Sequence, residues 1–241
     1  MGKIIYLLFV LVSIPCLLYP QVDTVGNYII TRENNLLTIV STETSETHVL
    51  EYPNLTTEYY DIDEDGIYEL LIISEDMNKT IPNFVLFVYT LGNNIELITT
   101  INSGVKKPEL IYSEESGLTV LAIGFPNFDK LNNSANIDLF FSPLNLLFFN
   151  GESFETDYDD CIDILLKENE EIFSVVTDFL LSYGKNCKTS KLLESAFASI
   201  YMNYINAGEF AMADHLIDTY YFCEDKKEFI QLIKNTLTER P

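Results

Sequence analysis

The period of the apolar residues changes once along this chain, near residue 160, and that change limits the fold more than any other feature. Before it, short apolar runs are broken by Asn, Gly, Ser and Asp. Tyr28-Ile29-Ile30 and Leu36-Leu37-Thr38-Ile39-Val40 flank Glu33-Asn34-Asn35, a hairpin pattern. The runs 84–89 and 95–99 flank Leu91-Gly92-Asn93-Asn94, and Leu110-Ile111-Tyr112 and 118–123 flank Glu114-Glu115-Ser116-Gly117. Residues 146–149 lead into Asn150-Gly151, which supplies positive φ for a tight turn, and then into Phe154. β-Branched and aromatic residues dominate these runs, as a pleated surface prefers. The spacing predicts antiparallel hairpins over about 27–154, with a long loop over 127–145.

From about Ile162 the spacing becomes helical. Ile172, Val176, Phe179, Leu180 and Tyr183 share a face, with Gly184 as the stop. Three more stripes follow: Leu193 with Ala196, Phe197, Ile200, Tyr201 and Tyr204; Phe210 with Ala213, Leu216, Ile217, Tyr220 and Tyr221; and Phe229 with Ile230, Ile233 and Leu237. Short connections between them imply antiparallel neighbours. The expected class is therefore α+β, an antiparallel β domain over 22–158 followed by a helical domain over 159–241.

The first residues read differently again. Met1-Gly2-Lys3 gives a basic start, residues 4–12 are unbroken apolar, and polar sequence begins at Gln21. The apolar run is shorter than the roughly 20 residues that a span needs and contains Pro15. It is expected to be a signal peptide over 1–21, with export to the periplasm, the cell surface or the medium and no span in the mature chain. Cys16 stands where a lipoprotein signal keeps its cysteine, but Pro15 precedes it in place of a small residue. Removal beyond Cys16 leaves Cys161, Cys187 and Cys223, which in an oxidising compartment allow one bridge in three pairings. The formal charge of −23 argues against nucleic acid and anionic membrane surfaces as partners, because phosphate binding needs basic patches.

One segment carries chemistry. In Asp61-Ile62-Asp63-Glu64-Asp65-Gly66-Ile67-Tyr68-Glu69, carboxylates at alternate positions can point into a single turn, and Gly66 permits the bend behind them. Calcium takes six to eight oxygens from such a backbone, here Asp61, Asp63, Asp65, the carbonyl of Ile67 and Glu69. An EF-hand is excluded: its twelfth position would be Ile72, and residues 68–73 read as a strand.

Asp61-x-Asp63-x-Asp65-Gly66-x-x-Glu69-Leu70 running into apolar residues resembles the calcium loops of FG-GAP and VCBS-type repeats. The resemblance covers about 40 residues and implies a blade-like β repeat with Asp61, Asp63, Asp65 and Glu69 as ligands to calcium. Propellers close with at least four four-stranded blades, and residues 27–154 have room for two or three. A curved or sandwich-like sheet of blade-like hairpins is expected, with an open edge covered by the helices. Tyr204-x-x-x-Gly208-x-Phe210-x-x-Ala213 resembles part of a tetratricopeptide unit, alongside the plainer reading of a helical hairpin.

No nucleophile elbow, paired zinc histidines, phosphate loop or dinucleotide fingerprint occurs, and His48 and His215 read as structural or surface residues. Asn54-Leu55-Thr56, Asn78-Lys79-Thr80 and Asn132-Asn133-Ser134 fit glycosylation sequons. The expected function is a non-enzymatic, calcium-braced β module with a helical interaction tail, binding a protein or serving a structural role, as a monomer or an oligomer. The rival is a secreted hydrolase using acidic residues of the β domain. Carboxylates facing each other across a deep pocket away from Asp61 would favour it.

Overall fold

The computed structural model describes residues 20–76, 81–132, 139–156 and 158–238. The expected signal segment, Cys16 included, lies outside these residues up to position 19, as do Asn78-Lys79-Thr80 and the side chain of Leu237. The chain forms two compact units, Met1–Leu50 and Glu51–Pro241.

The first unit carries an antiparallel meander of four strands in chain order: β1 (Gln21–Val25), β2 (Tyr28–Glu33), β3 (Leu36–Ser41) and β4 (Thr47–Glu51). Alternation decides its faces. Tyr28, Ile30, Leu37 and Ile39 are buried, and Ile30 lies opposite Ile39 in the register. The hairpin expected between β2 and β3 turns on Asn34-Asn35, with Asn34 at φ +53°. Asparagine tolerates that left-handed conformation better than most residues.

The second unit holds two more meanders. The first runs β5 (Leu55–Tyr60), β6 (Glu69–Glu75), β7 (Phe84–Leu91) and β8 (Ile95–Gly104). The second runs β9 (Glu109–Tyr112), β10 (Thr119–Ile123), β11 (Asn145–Phe149) and β12 (Phe154–Thr156). β6 is an inner strand, and its first six residues are all buried, so its apolar run does not alternate. Leu71 and Ile73 of β6 pack with Leu121, Ile123 and Leu147 of the other sheet, making a two-sheet sandwich. The opposite face of that second sheet, through Val120, Ala122 and Leu146, packs on Ile164 and Leu165 of α1 (Ile162–Tyr183). Each such buried Val, Leu or Ile side chain contributes about 1.5–3 kcal/mol.

Four further α-helices follow among the described residues: α2 (Cys187–Leu192), α3 (Glu194–Asn206), α4 (Phe210–Tyr220) and α5 (Lys226–Thr238). Their shared core includes Val176, Phe197, Tyr201, Ile217 and Phe229, so the expected stripes face one another. Gly184 ends α1 at φ +92°, its N–H donating to the Leu180 carbonyl. The class is α+β, with the helices after the strands. The compact units nevertheless divide at residue 50, and the helices belong to the same unit as two of the sheets.

Other features depart from the sequence reading. A 3-10 helix, Pro126–Asn132, occupies the start of the expected long loop, and its Phe128 is buried in the helical core. Tyr183 and Phe210, each expected on a core stripe, are 66% and 61% exposed. α2 and strands β1, β4 and β5 were not apparent in the sequence. Asn132, the first residue of a sequon, is buried with its amide bonded to both backbone groups of Phe141, which removes it as a glycan acceptor. The bridge left open among three pairings forms between Cys187 and Cys223, tying α2 to the segment between α4 and α5, while Cys161 is a buried free thiol.

Candidate metal centre

The acidic segment is the connection of the β5–β6 hairpin. Tyr60 pairs with Glu69 in the register, so residues 61–68 form the loop between two paired strands. This explains why helices do not flank it. Three side-chain bonds curl the loop inward. Asp61 Oδ2 accepts from the Gly66 N–H at 3.0 Å, Asp65 Oδ1 from the Ile67 N–H at 2.7 Å, and Asp63 Oδ1 from the Asp65 N–H at 3.4 Å. Gly66 sits at φ +88°, where a side chain would be strained.

The curl brings one oxygen each from Asp61, Asp63 and Asp65 within 4.8 Å of one another. Like charges at that separation repel by about 1 kcal/mol in water and more as the dielectric falls. No lysine or arginine forms an ion pair with these three among the described residues. Asp61 Oδ1 is buried and accepts no hydrogen bond. A buried carboxylate oxygen without a donor is costly, and a divalent cation among the three carboxylates would satisfy it. The residues present therefore fit a hard, oxygen-liking cation.

The other two expected ligands stand differently. Glu69 is not among the three converging carboxylates; its Oε2 accepts from the Ile62 N–H at 2.9 Å, closing the base of the loop. Ile67, expected to offer its carbonyl, is exposed, and its N–H is bound to Asp65. Glu69 is 3% exposed, and its carboxyl is pushed up to about 7, chiefly by burial and then by the charges of Asp63, Asp65 and Asp61, against the lowering effect of the Ile62 N–H. The sign follows from a raised carboxyl. In the ion-free protein its contribution to stability is complete below about pH 4.5 and is lost as the pH rises through about 7. The contribution is of order 3 kcal/mol. Chelated protein is expected to melt lower at pH 8 than at pH 5.5, and Glu69→Gln to remove most of that difference. An unchanged pH dependence in Glu69→Gln would contradict it.

The loop also faces the second sheet. A Cβ added to Gly151, in the β11–β12 turn, would lie 3.1 Å from Asp63 Oδ2. Tyr60 Oη and Thr119 Oγ1 are 3.0 Å apart, joining the two sheets beside it. Between them lies a hollow of about 480 Å³ lined by residues that include Tyr60, Asp63, Phe148 and Asn150. Spacing along the sequence identified the three aspartates, but the bracing role of Glu69 and the closeness of Gly151 depend on pairings between strands. Comparison of the chain with known protein families, curated proteins and solved structures gives no match.

Proposed function

We propose that this chain is an exported, calcium-braced β module of FG-GAP/VCBS-type character that binds a protein partner, with its helices as an interaction tail. The observation that carries the ion is the buried, donorless Asp61 Oδ1 beside two further carboxylates. The resemblance of the loop is supported by its place between paired strands and by three four-stranded meanders, the unit from which propeller blades are built. Export is supported by the basic-then-apolar start of the sequence and by the Cys187–Cys223 bridge, which suits an oxidising compartment. The tetratricopeptide-like reading of α3 and α4 draws on Gly208 at φ +76° between them and on the fully buried Ala213. No helix among the described residues is long and apolar enough to cross a membrane.

The ion's role is structural. With about 1 mM calcium and a dissociation constant near 0.1 mM, binding adds about 1.4 kcal/mol. That is less than one buried leucine, enough to order a loop and hold it against the neighbouring turn. Calcium is expected to raise the melting temperature and slow proteolysis within 61–69, and Asp61→Asn to abolish both effects. Equal responses in the two proteins would refute the assignment.

The hydrolase reading has one observation in its favour, a cavity between β9 and α1 with carboxylates on both walls. General-acid work calls for a carboxyl shielded from water. Glu109, Glu114 and Glu171 are exposed there, Glu168 is paired with Lys106 at 3.0 Å, and Asp163 accepts from the Ser113 hydroxyl. That arrangement favours attraction of a cationic ligand over proton transfer.

A further inference from the structure

β9 is an edge strand, paired with β10 and with no strand on its other side among the described residues. The Ser113 N–H donates to the Leu118 carbonyl at 2.9 Å, and the same register pairs Ile111 with Val120 and Glu109 with Ala122. Antiparallel pairs alternate, so Ser113, Ile111 and Glu109 turn their backbone groups toward β10. Leu110 and Tyr112 turn theirs away from the sheet. Neither finds a backbone partner on that side among the described residues.

Beside this edge runs the cavity of about 460 Å³ between β9 and α1. Ile111 and Ile164 contribute apolar surface to it, and Tyr112, 62% exposed, stands at its rim. Its lining carries five carboxylates, Glu109, Glu114, Asp163, Glu168 and Glu171, against Lys167, and of the five Glu168 is already paired with Lys106. Natural proteins usually blunt an open edge with lysines, prolines or a cover. Lys107 and Pro108 stand just before β9, but the strand itself carries Glu109 and Tyr112 and opens on the trough.

We propose that the β9 edge and this trough take an extended, lysine- or arginine-rich segment of a partner protein by strand addition. The segment's backbone pairs with Leu110 and Tyr112. Alternate side chains then enter the trough, where their stems lie on Ile111 and Ile164 and their charges meet Glu109 and Glu171. The chemistry is that of a cationic peptide because the lining is acidic and the whole chain carries a formal charge of −23, which steers cations toward it. The proposal rests on the reading of the chain as a binding module but not on the calcium loop.

The test uses a ten-residue peptide of alternating lysine and valine, titrated into the chain at 0.15 M salt and in EDTA. Comparison ligands are the same peptide N-methylated at alternate residues and a glutamate–valine peptide. Saturable binding of the first is expected, at least about tenfold weaker after N-methylation, which removes backbone donors but keeps the charge. The glutamate–valine peptide should not bind. Tyr112→Pro removes an outward donor without touching the β10 ladder, a position where edge strands accept proline, and should weaken binding by a similar factor. Glu109→Lys with Glu171→Lys should weaken it as well. Equal binding of the methylated and unmethylated peptides, or no saturable binding, would overturn the proposal. Because the titration is done in EDTA, failure of the ion site leaves its outcome unaffected, and its own failure leaves the ion site standing.

Discussion

Replacing Asn203 with alanine is expected to destabilise the protein by about 3 kcal/mol, because two buried groups lose their partners together. Asn203, in α3, is fully buried. Its Oδ1 accepts from the Leu144 N–H at 2.9 Å, and its Nδ2 donates to Asn169 Oδ1 of α1 at 3.0 Å. Asn169 in turn donates to the Ile200 carbonyl at 3.2 Å. The cluster joins two helices to the approach to β11. Each orphaned buried group costs about 1–3 kcal/mol, and the small void adds to that. Asn169→Ala should cost less, because a carbonyl inside a helix keeps its helical donor. Chemical denaturation of the two single variants and the double variant closes the cycle. Additive losses, with no coupling between the two asparagines, would contradict the network.

Removing the Cys187–Cys223 bridge is expected to cost about 2–4 kcal/mol. The bridge closes a sequence separation of 36 residues, and its loss frees the unfolded chain to explore far more conformations. It also holds α2 beside Tyr221, whose hydroxyl donates to Glu194 at 2.9 Å and whose ring stacks on Phe229. Lys191 draws the same parts together through ion pairs with Glu194 and Asp225, both at 2.7 Å. Being partly exposed, those pairs add little on their own. Cys187→Ser with Cys223→Ser, compared with the oxidised protein in urea, should lower the midpoint clearly. Reductant should do the same to the parent and nothing to the variant. Identical midpoints in all three would show that the helical core holds itself without the staple.

Much of this fold was legible because one face of each element is buried. The hairpins β2–β3, β7–β8, β9–β10 and β11–β12 each announce themselves by an apolar run on both sides of a polar turn. The helical stripes of α1, α3, α4 and α5 are visible for the same reason. β4 and β5 were not legible: four of the five residues of β4 are exposed, and β5 is a mainly polar strand, so neither shows a strong apolar alternation. The 3-10 helix hid in a segment rich in Asn and Pro, and its anchor, Phe128, looks like any isolated aromatic until the helices are in place. The cysteine pairing was open because spacing along a chain does not report proximity in space.

The candidate site divides in the same way. Its three aspartates and Gly66 lie within six residues, so local spacing was enough to find them. Glu69 reads as a fourth ligand by spacing; what spacing does not show is that its Oε2 is bonded to the Ile62 backbone, a contact set by the register of Tyr60 against Glu69. The strand β9 was legible, but its place at a sheet edge and the trough beside it were not, since they bring residues 109–114 beside residues of α1 some fifty positions later.

Equilibrium dialysis with isotopic calcium at 0.15 M salt tests the central claim most directly, applied to the parent, Asp61→Asn and Asp65→Asn. One saturable ion per chain is expected, with a dissociation constant of order 0.1–1 mM. Binding should be lost in Asp61→Asn, whose orphaned oxygen the ion satisfies, and weakened in Asp65→Asn. An isotherm that is unsaturated at 10 mM calcium (about tenfold above the weakest affinity expected), or one that is the same in all three proteins, would contradict the account.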